Sequence, residues 1–224
     1  MEAHPYYSRH GIDLHCGDAR EILPYLDVDR ERTVVITDPP WPNMPTGLYG
    51  DIDPVALWQE VAPLCSLIAR RVVVILGCNS DPRMLAAIGA AMPFVRACWL
   101  RHSVPSYRGT ILYSADVAYV FGSSEPPDRP HRVIPGESIS TGKSGRNGHG
   151  HPTPRSMEHM RWLVRWLTRE GDTIIDPFAG SGTTLLAARE HGRQAIGIEI
   201  EPRYCESAVR RLAQEPLALE VAHG

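Results

Sequence analysis

The sequence predicts a doubly wound α/β fold, a mostly parallel seven-stranded sheet with helices on both faces, in a single domain spanning residues 1–224. Three observations carry this. Short apolar, β-branched runs alternate with helix-like stretches along the whole chain. The 224 residues, 43% hydrophobic and 22% charged, suit one elaborated core rather than two full domains or a disordered chain. A Gly-Ser-Gly turn at Gly180-Ser181-Gly182 separates a strand-like run from a helix-like one, as strand-to-helix ligand turns do.

The predicted strands, in order, are Ile12 to His15, Thr33 to Thr37, Arg71 to Leu76, Arg96 to Leu100, Ala115 to Phe121, Thr173 to Ile175 and Gln194 to Ile198. The predicted helices are Ala19 to Leu26, Asp53 to Ile68, Asp81 to Ala90, Ser156 to Glu170, Thr183 to His191 and Pro202 to Gln214, several ended or followed by Gly or Pro. Between them, Gly122 to Pro154 is rich in Gly, Pro, Ser, Arg and His and reads as an irregular functional loop, too long for an idle connector.

Composition narrows the class further. No window approaches the ~18 consecutive apolar residues of a membrane span, and the polar start from Met1 to His10 lacks an export signal. Five scattered cysteines with no C-x-x-C pair suggest neither a disulfide framework nor a metal site, so a reducing cytoplasm is expected. The net charge is -3, but Arg129 to Arg165 carries a local +5, leaving -8 elsewhere. Nucleic-acid affinity would have to come from that patch, whose bland alternative is a solvated loop and helix face.

The segment Gly171 to Thr184 runs a strand into Asp176, passes through Gly180 and Gly182, and starts a helix near Thr183. Small residues let backbone approach a ligand, and the free N–H groups of a helix start favour an anion. Glu199 ends the next strand, 19 positions after Gly180, where an acidic residue meets ribose hydroxyls in such folds. A dinucleotide turn is disfavoured because Leu185 occupies the third glycine position. Asp176-Pro-Phe-Ala-Gly-Ser-Gly-Thr-Thr resembles the S-adenosylmethionine motif of the amino-methylating DNA methyltransferases.

Val34-Val-Ile-Thr-Asp-Pro-Pro-Trp reads as a second strand delivering Asp38, Pro39, Pro40 and Trp41 to its C-terminal end, the ligand-binding edge of open α/β sheets. The residue types suit activation of an exocyclic amine, whose lone pair is delocalised into its ring. Two acceptors on its hydrogens, the Asp38 carboxylate and the Pro39 carbonyl, would draw the nitrogen toward a tetrahedral, nucleophilic form. The prolines stiffen the backbone, and Trp41 offers a face for an unstacked base. Neither a covalent intermediate nor a metal is required. The structural alternative is that Asp38 caps a turn and Trp41 is core.

The two motifs together resemble the β-class, circularly permuted amino-methyltransferases, in which the catalytic motif precedes the cofactor motif. The resemblance covers most of the chain and implies the Rossmann-like methyltransferase fold with S-adenosylmethionine as cofactor. It places Gly17 and Asp18 by the cofactor's adenine, and His151 and Thr153 of a H-P-T element near its methionine end. Arg155 and Ser156 stand where the family has lysine and proline, so the carry-over stops at Thr153. The remaining cofactor contacts implied are Asp176, Phe178, Gly180, Ser181, Gly182, Thr183 and Glu199.

By the same resemblance D-P-P-W goes with adenine N6, and cytosine N4 enzymes more often carry S-P-P-Y. Duplex DNA with a flipped base is the expected substrate. The loop Pro42 to Ile52 and the basic residues Arg101, Arg108, Arg132, Lys143 and Arg146 are the candidates to hold it. A homodimer, as in several members of that family, is expected. Cytosine N4 methylation, RNA adenine N6 methylation, a silent nucleic-acid-binding subunit and a nucleotide-dependent oxidoreductase are the competing readings.

Overall fold

In a computed structural model describing residues 4–42, 53–89, 92–108, 110–124, 135–141 and 155–214, the apolar runs assemble into one sheet. Among those residues it holds nine strands: β1 (Tyr7–Arg9), β2 (Ile12–Cys16), β3 (Thr33–Thr37), β4 (Arg71–Gly77), β5 (Phe94–Arg108), β6 (Ile111–Gly122), β7 (Glu137–Ser140), β8 (Thr173–Asp176) and β9 (Gln194–Glu199). Their order across the sheet is β1-β2-β9-β8-β3-β4-β6-β5-β7. Strands β2, β9, β8, β3 and β4 form a continuous parallel block. β1 and β6 join it antiparallel at opposite sides, and β5 pairs antiparallel with β6 and parallel with β7.

All seven predicted strands are present, and the count of seven is corrected to nine. β1 is a three-residue strand that turns into β2 through His10 and Gly11, both at positive φ. β7 lies inside the stretch that reads as wholly irregular; its four residues alternate exposed and buried as an edge strand does. Four residues flanked by glycines and prolines are too few for periodicity to mark.

The helices are α1 (Ala19–Ile22), α2 (Pro54–Ile68), α3 (Met157–Leu167), α4 (Thr183–Glu190) and α5 (Pro202–Ala213). The predicted first helix is shortened: after α1 the chain tightens into a 3-10 turn at Leu23–Tyr25. Residues 82–88 form a 3-10 helix instead of the predicted α-helix, confined between Pro82 and Gly89 at φ 75°. Asp53 starts α2 by accepting the Val55 N–H at 2.9 Å, with Pro54 in the first turn.

Alternation along the central strands sorts the core into two layers. Val34, Ile36, Val73 and Ile75 face α3, α4 and α5, whereas Val35, Val72, Val74 and Leu76 face α2. Both layers are fully buried, each such side chain contributing about 1.5–3 kcal/mol. Because the central block is parallel, the C-terminal ends of β2, β3, β8 and β9 open on one edge, which brings Gly17, Asp38, Asp176 and Glu199 together. Among the described residues no helix is long and apolar enough to cross a membrane.

Candidate active site

Beyond β3 the chain presents Asp38, Pro39, Pro40 and Trp41, of which the two prolines are buried and the Asp38 side chain keeps 24% of its surface. The Trp41 indole N–H donates to Asp38 Oδ1 at 3.0 Å and to the Ile75 carbonyl at 3.3 Å. The Arg155 guanidinium grips the same carboxylate, Nε to Oδ2 at 2.5 Å and Nη2 to Oδ1 at 2.8 Å. It also donates from Nη1 to Asp116 Oδ2 at 2.8 Å and lies 4.3 Å over the Trp41 ring. Burial pushes the Asp38 carboxyl above the usual carboxylate range, while the Arg155 charge opposes that shift.

The expected role of Trp41 as an open stacking face is corrected by this geometry. The ring is only 9% exposed. Gly77 passes so close to it that a Cβ there would sit 2.6 Å from a ring carbon, and Arg155 lies over the ring. In this arrangement the indole orients Asp38.

β8 ends at Asp176, whose carboxylate accepts three hydrogen bonds from the protein. It accepts from the Thr37 hydroxyl at 3.0 Å, the Phe178 N–H at 3.1 Å and the Thr184 hydroxyl at 2.5 Å. Burial nonetheless pushes its pKa up to about 6. Gly180 and Gly182 adopt φ of 52° and 77°, left-handed conformations open to glycine at little cost, and Gly182 starts α4. Glu199, at the end of β9, accepts the Gly180 N–H and the Glu201 N–H, each at 2.8 Å. Asp18 caps α1 through the Arg20 N–H at 2.8 Å and pairs with the Arg20 side chain at 2.6 Å, which holds its carboxyl below its ordinary value.

One cavity joins these groups. Asp18, Asp38, Pro39, Pro40, Trp41, Asp176, Phe178, Gly180, Ser181, Thr183 and Glu199, all singled out from sequence, line it. Gly182 shapes the turn without lining it. His151 and Thr153 lie outside the described residues, as do Arg132, Lys143, Arg146 and positions 43–52 of the predicted base-holding loop. Arg108 ends β5. Arg101 is exposed on the same strand and pairs with Glu137 at 3.2 Å, away from the cavity lining. Of the basic stretch, Arg155 enters the site, whereas Arg161 is exposed and pairs with Glu190 at 2.5 Å across α3 and α4.

Sequence reading misses three contributors. Arg155 departs from the family's lysine, so the resemblance does not reach it, and Asp116 carries no motif. Arg211, on α5, reaches under the cofactor-type turn, its Nη1 donating to the Ser181 carbonyl at 2.5 Å, Ser181 Oγ at 2.8 Å and Thr183 Oγ1 at 3.1 Å. A clue exists for Arg155, since a half-buried carboxylate on a strand end calls for a cation. Among the described residues no group of three or more His, Cys, Asp or Glu side chains could hold a metal.

Comparison with known proteins agrees with this architecture. A family model described as DNA methylase, N6_N4_Mtase, matches residues 94–210. YubD of Escherichia coli (strain K12) is 32% identical over 108 residues, 48% of this chain and 46% of its own length. Type II methyltransferase M2.DpnII of Streptococcus pneumoniae is 43% identical over 65 residues, 29% of this chain and 24% of its own length. The chain thus spans less than half the length of these curated relatives. Among solved structures, PvuII DNA methyltransferase, named as cytosine-N4-specific, superposes with a TM-score of 0.75 at 16% identity, over 97% of this chain and 92% of that one. M1.HpyAVI in complex with SAM gives 0.68 at 23% identity, over 91% and 100%. These two likenesses establish the fold.

Proposed function

Since this chain belongs to the N6_N4_Mtase family of DNA methylases, we propose that it transfers a methyl group from S-adenosylmethionine to the N6 amino group of adenine in DNA. The observation that carries the reading is the shared cavity: the Asp38-Pro39-Pro40-Trp41 edge and the Gly180-Ser181-Gly182 turn, far apart in sequence, meet at one sheet edge beside Glu199. That catalytic edge precedes the cofactor turn in the chain, which supports the circularly permuted β-class arrangement.

The residues present fit the cofactor. Glu199 keeps acceptor capacity on both oxygens after taking two backbone N–H groups and suits ribose hydroxyls. Leu57, Phe178 and Ile200 line the same cavity and suit an adenine ring. Gly17 and Asp18 stand at the end of β2, next to β9, and Asp176 acts by bracing the turn. When bound, the cofactor supplies an electrophilic methyl on a sulfonium.

The protein's own part is to prepare the amine. Asp38 and the Pro39 carbonyl accept its two hydrogens and localise its lone pair. That pair forms the N–C bond as the S–C bond breaks with its electrons staying on sulfur, and the nitrogen, left cationic, passes one proton by way of Asp38 to water. Ionised Asp38 favours this developing positive charge. A base inside a duplex must leave the stack to reach a cavity of this kind, so base flipping is part of the proposal, with exposed Arg101 and the other predicted basic residues on the phosphates. A homodimer completes it.

The D-P-P-W edge supports adenine. Cytosine N4 is the second reading, favoured by the name of the PvuII enzyme with which the fold superposes at a TM-score of 0.75. The test is incubation with S-adenosylmethionine and mixed-sequence duplex DNA or RNA beside Asp38→Ala, followed by mass spectrometry of nucleosides. N6-methyladenine in DNA, absent in the variant, is expected. N4-methylcytosine, or product in RNA alone, overturns the substrate; cofactor binding without any product overturns the enzyme reading.

A further inference from the structure

The catalytic carboxylate does not stand alone at the sheet edge. Asp38 just beyond β3, Arg155 at the approach to α3 and Asp116 on β6 form a continuous carboxylate, guanidinium, carboxylate chain, with every N···O separation between 2.5 and 2.8 Å. Behind it, His102 Nε2 of β5 lies 3.5 Å from Asp116, and the His102 and His159 rings meet edge to face at 5.4 Å. The His159 Nδ1 is in turn 3.0 Å from Ser138 Oγ of β7. Five elements therefore contribute to this cluster, although sequence motifs mark only Asp38.

An ionised carboxylate has roughly four acceptor positions. Among the described residues Asp38 fills three: Arg155 takes one on each oxygen, and the Trp41 N–H a second on Oδ1. About one remains, on Oδ2, which matches the single hydrogen Asp38 must accept if the Pro39 carbonyl accepts the other. A fork of two N–H groups also fixes the plane of the carboxylate, which one ammonium could not do.

We propose that Arg155 and Asp116 are positioning residues for the transfer: Asp116 anchors the guanidinium, and the guanidinium holds Asp38 ionised and turned so that one acceptor position stays open for the target amine. The inference deepens the methyl-transfer reading and rests on it. The arginine replacing the lysine of the resembling family then serves the catalytic carboxylate. The charged groups facing Asp38 are Arg155, which favours the anion, and Asp116 and Asp176, which oppose it. Those facing Asp116 are Arg155, His102 and His159, which favour its anion, together with the Asp38 carboxylate and the Cys78 thiol.

The test compares the full-length protein with Arg155→Met, Arg155→Lys, Asp116→Asn and the Arg155→Met/Asp116→Asn double variant, with thermal unfolding as the folding check. Two readouts are used: kcat against pH on DNA, and 13C titration of the Asp38 carboxyl, assigned with Asp38→Asn. Arg155→Met is expected to raise the Asp38 titration midpoint and the acid limb of kcat together, by about one to three pH units. Its kcat at the optimum should fall about 100-fold, with KM for DNA little changed. Arg155→Lys should restore the midpoint in part but not the rate. Asp116→Asn should lower kcat in the wild-type background and have little effect once Arg155 is gone. An unchanged midpoint in both Arg155 variants, or additive effects of Asp116→Asn and Arg155→Met, would overturn the inference. A wild-type protein that methylates nothing overturns the function instead, and the carboxyl titration still decides the Asp38–Arg155 coupling.

Discussion

Gly77, which lies at the end of β4 and outside every motif, is expected to matter as much as a motif residue. A Cβ built at Gly77 would stand 2.6, 2.9 and 3.1 Å from the Trp41 atoms Cζ3, Cη2 and Cε3. Ordinary contact begins near ~3.4 Å, so Gly77→Ala must push the ring by roughly 0.8 Å or displace β4. Neither yields easily. β4 is buried along its whole length, and Trp41 is held by Asp38 and Ile75 on its N–H and overlain by Arg155. Overpacking of this kind costs about 1–3 kcal/mol. A shift of that size also breaks the 3.0 Å bond from Trp41 to Asp38, so a loss of about 100-fold in kcat should accompany it. The assay is a double-mutant cycle with Trp41→Phe, whose smaller ring lacks the clashing atoms, read by urea unfolding and by turnover. Gly77→Ala should be milder for stability when combined with Trp41→Phe than in the wild type, by more than about 1 kcal/mol. Additivity, or a Gly77→Ala protein as stable and active as wild type, would refute the packing argument.

Arg211→Met should weaken S-adenosylmethionine binding about 10- to 100-fold in calorimetry, because one Nη1 pins both Ser181 oxygens and Thr183; an unchanged affinity would show that the turn holds itself. Asp176, 2% exposed, has its carboxyl raised to about 6, so the folded state holds this proton more tightly than the unfolded one. Its contribution is complete below pH ~4 and lost as pH rises to ~6, about 3 kcal/mol in all, so Asp176→Asn should flatten the fall in stability across that window in urea titrations. Parallel slopes for the two proteins would refute this. The buried Arg70–Asp172 pair, 2.5 Å apart, should cost about 3–5 kcal/mol when only Arg70 is changed to Met, and most of that should return in Arg70→Met/Asp172→Leu, both read by urea unfolding.

The parts of this molecule legible in the sequence are those where one chemical signal is concentrated in a few neighbouring residues. The central strands are legible because Thr33–Thr37 and Arg71–Gly77 are buried on both faces and therefore almost continuously apolar. The cofactor-type turn is legible because φ of 52° and 77° favours glycine at Gly180 and Gly182. What stays hidden is long-range. Arg155 and Asp38 are 117 positions apart, and Asp116 and Arg155 are 39 apart. Their pairing follows from β6 entering the sheet beside β4, a topological fact that no local pattern encodes. β7 escapes because its pairing with β5, and not its own composition, makes it a strand. The sequence puts Trp41 in the right place and the wrong surroundings, since burial of its ring depends on Gly77 from another strand and on Arg155.

The fold also explains how two loops from different strands stay in register for the proposed reaction. β3 and β8 are hydrogen-bonded neighbours, and Thr37, the residue before Asp38, donates its hydroxyl to Asp176 at 3.0 Å. Asp176 simultaneously holds the Phe178 N–H and the Thr184 hydroxyl on either side of the glycine turn. A displacement of the turn is therefore transmitted to the Asp38 edge through one buried carboxylate, without involving solvent. Burying that carboxylate carries an energetic cost, visible in its raised pKa, that an apolar residue would avoid. An apolar residue could not accept three hydrogen bonds from the two loops. The retained acid is thus the element that fixes the spacing between the glycine turn and the Asp38 edge, a spacing on which the proposed in-line transfer depends to well under an ångström.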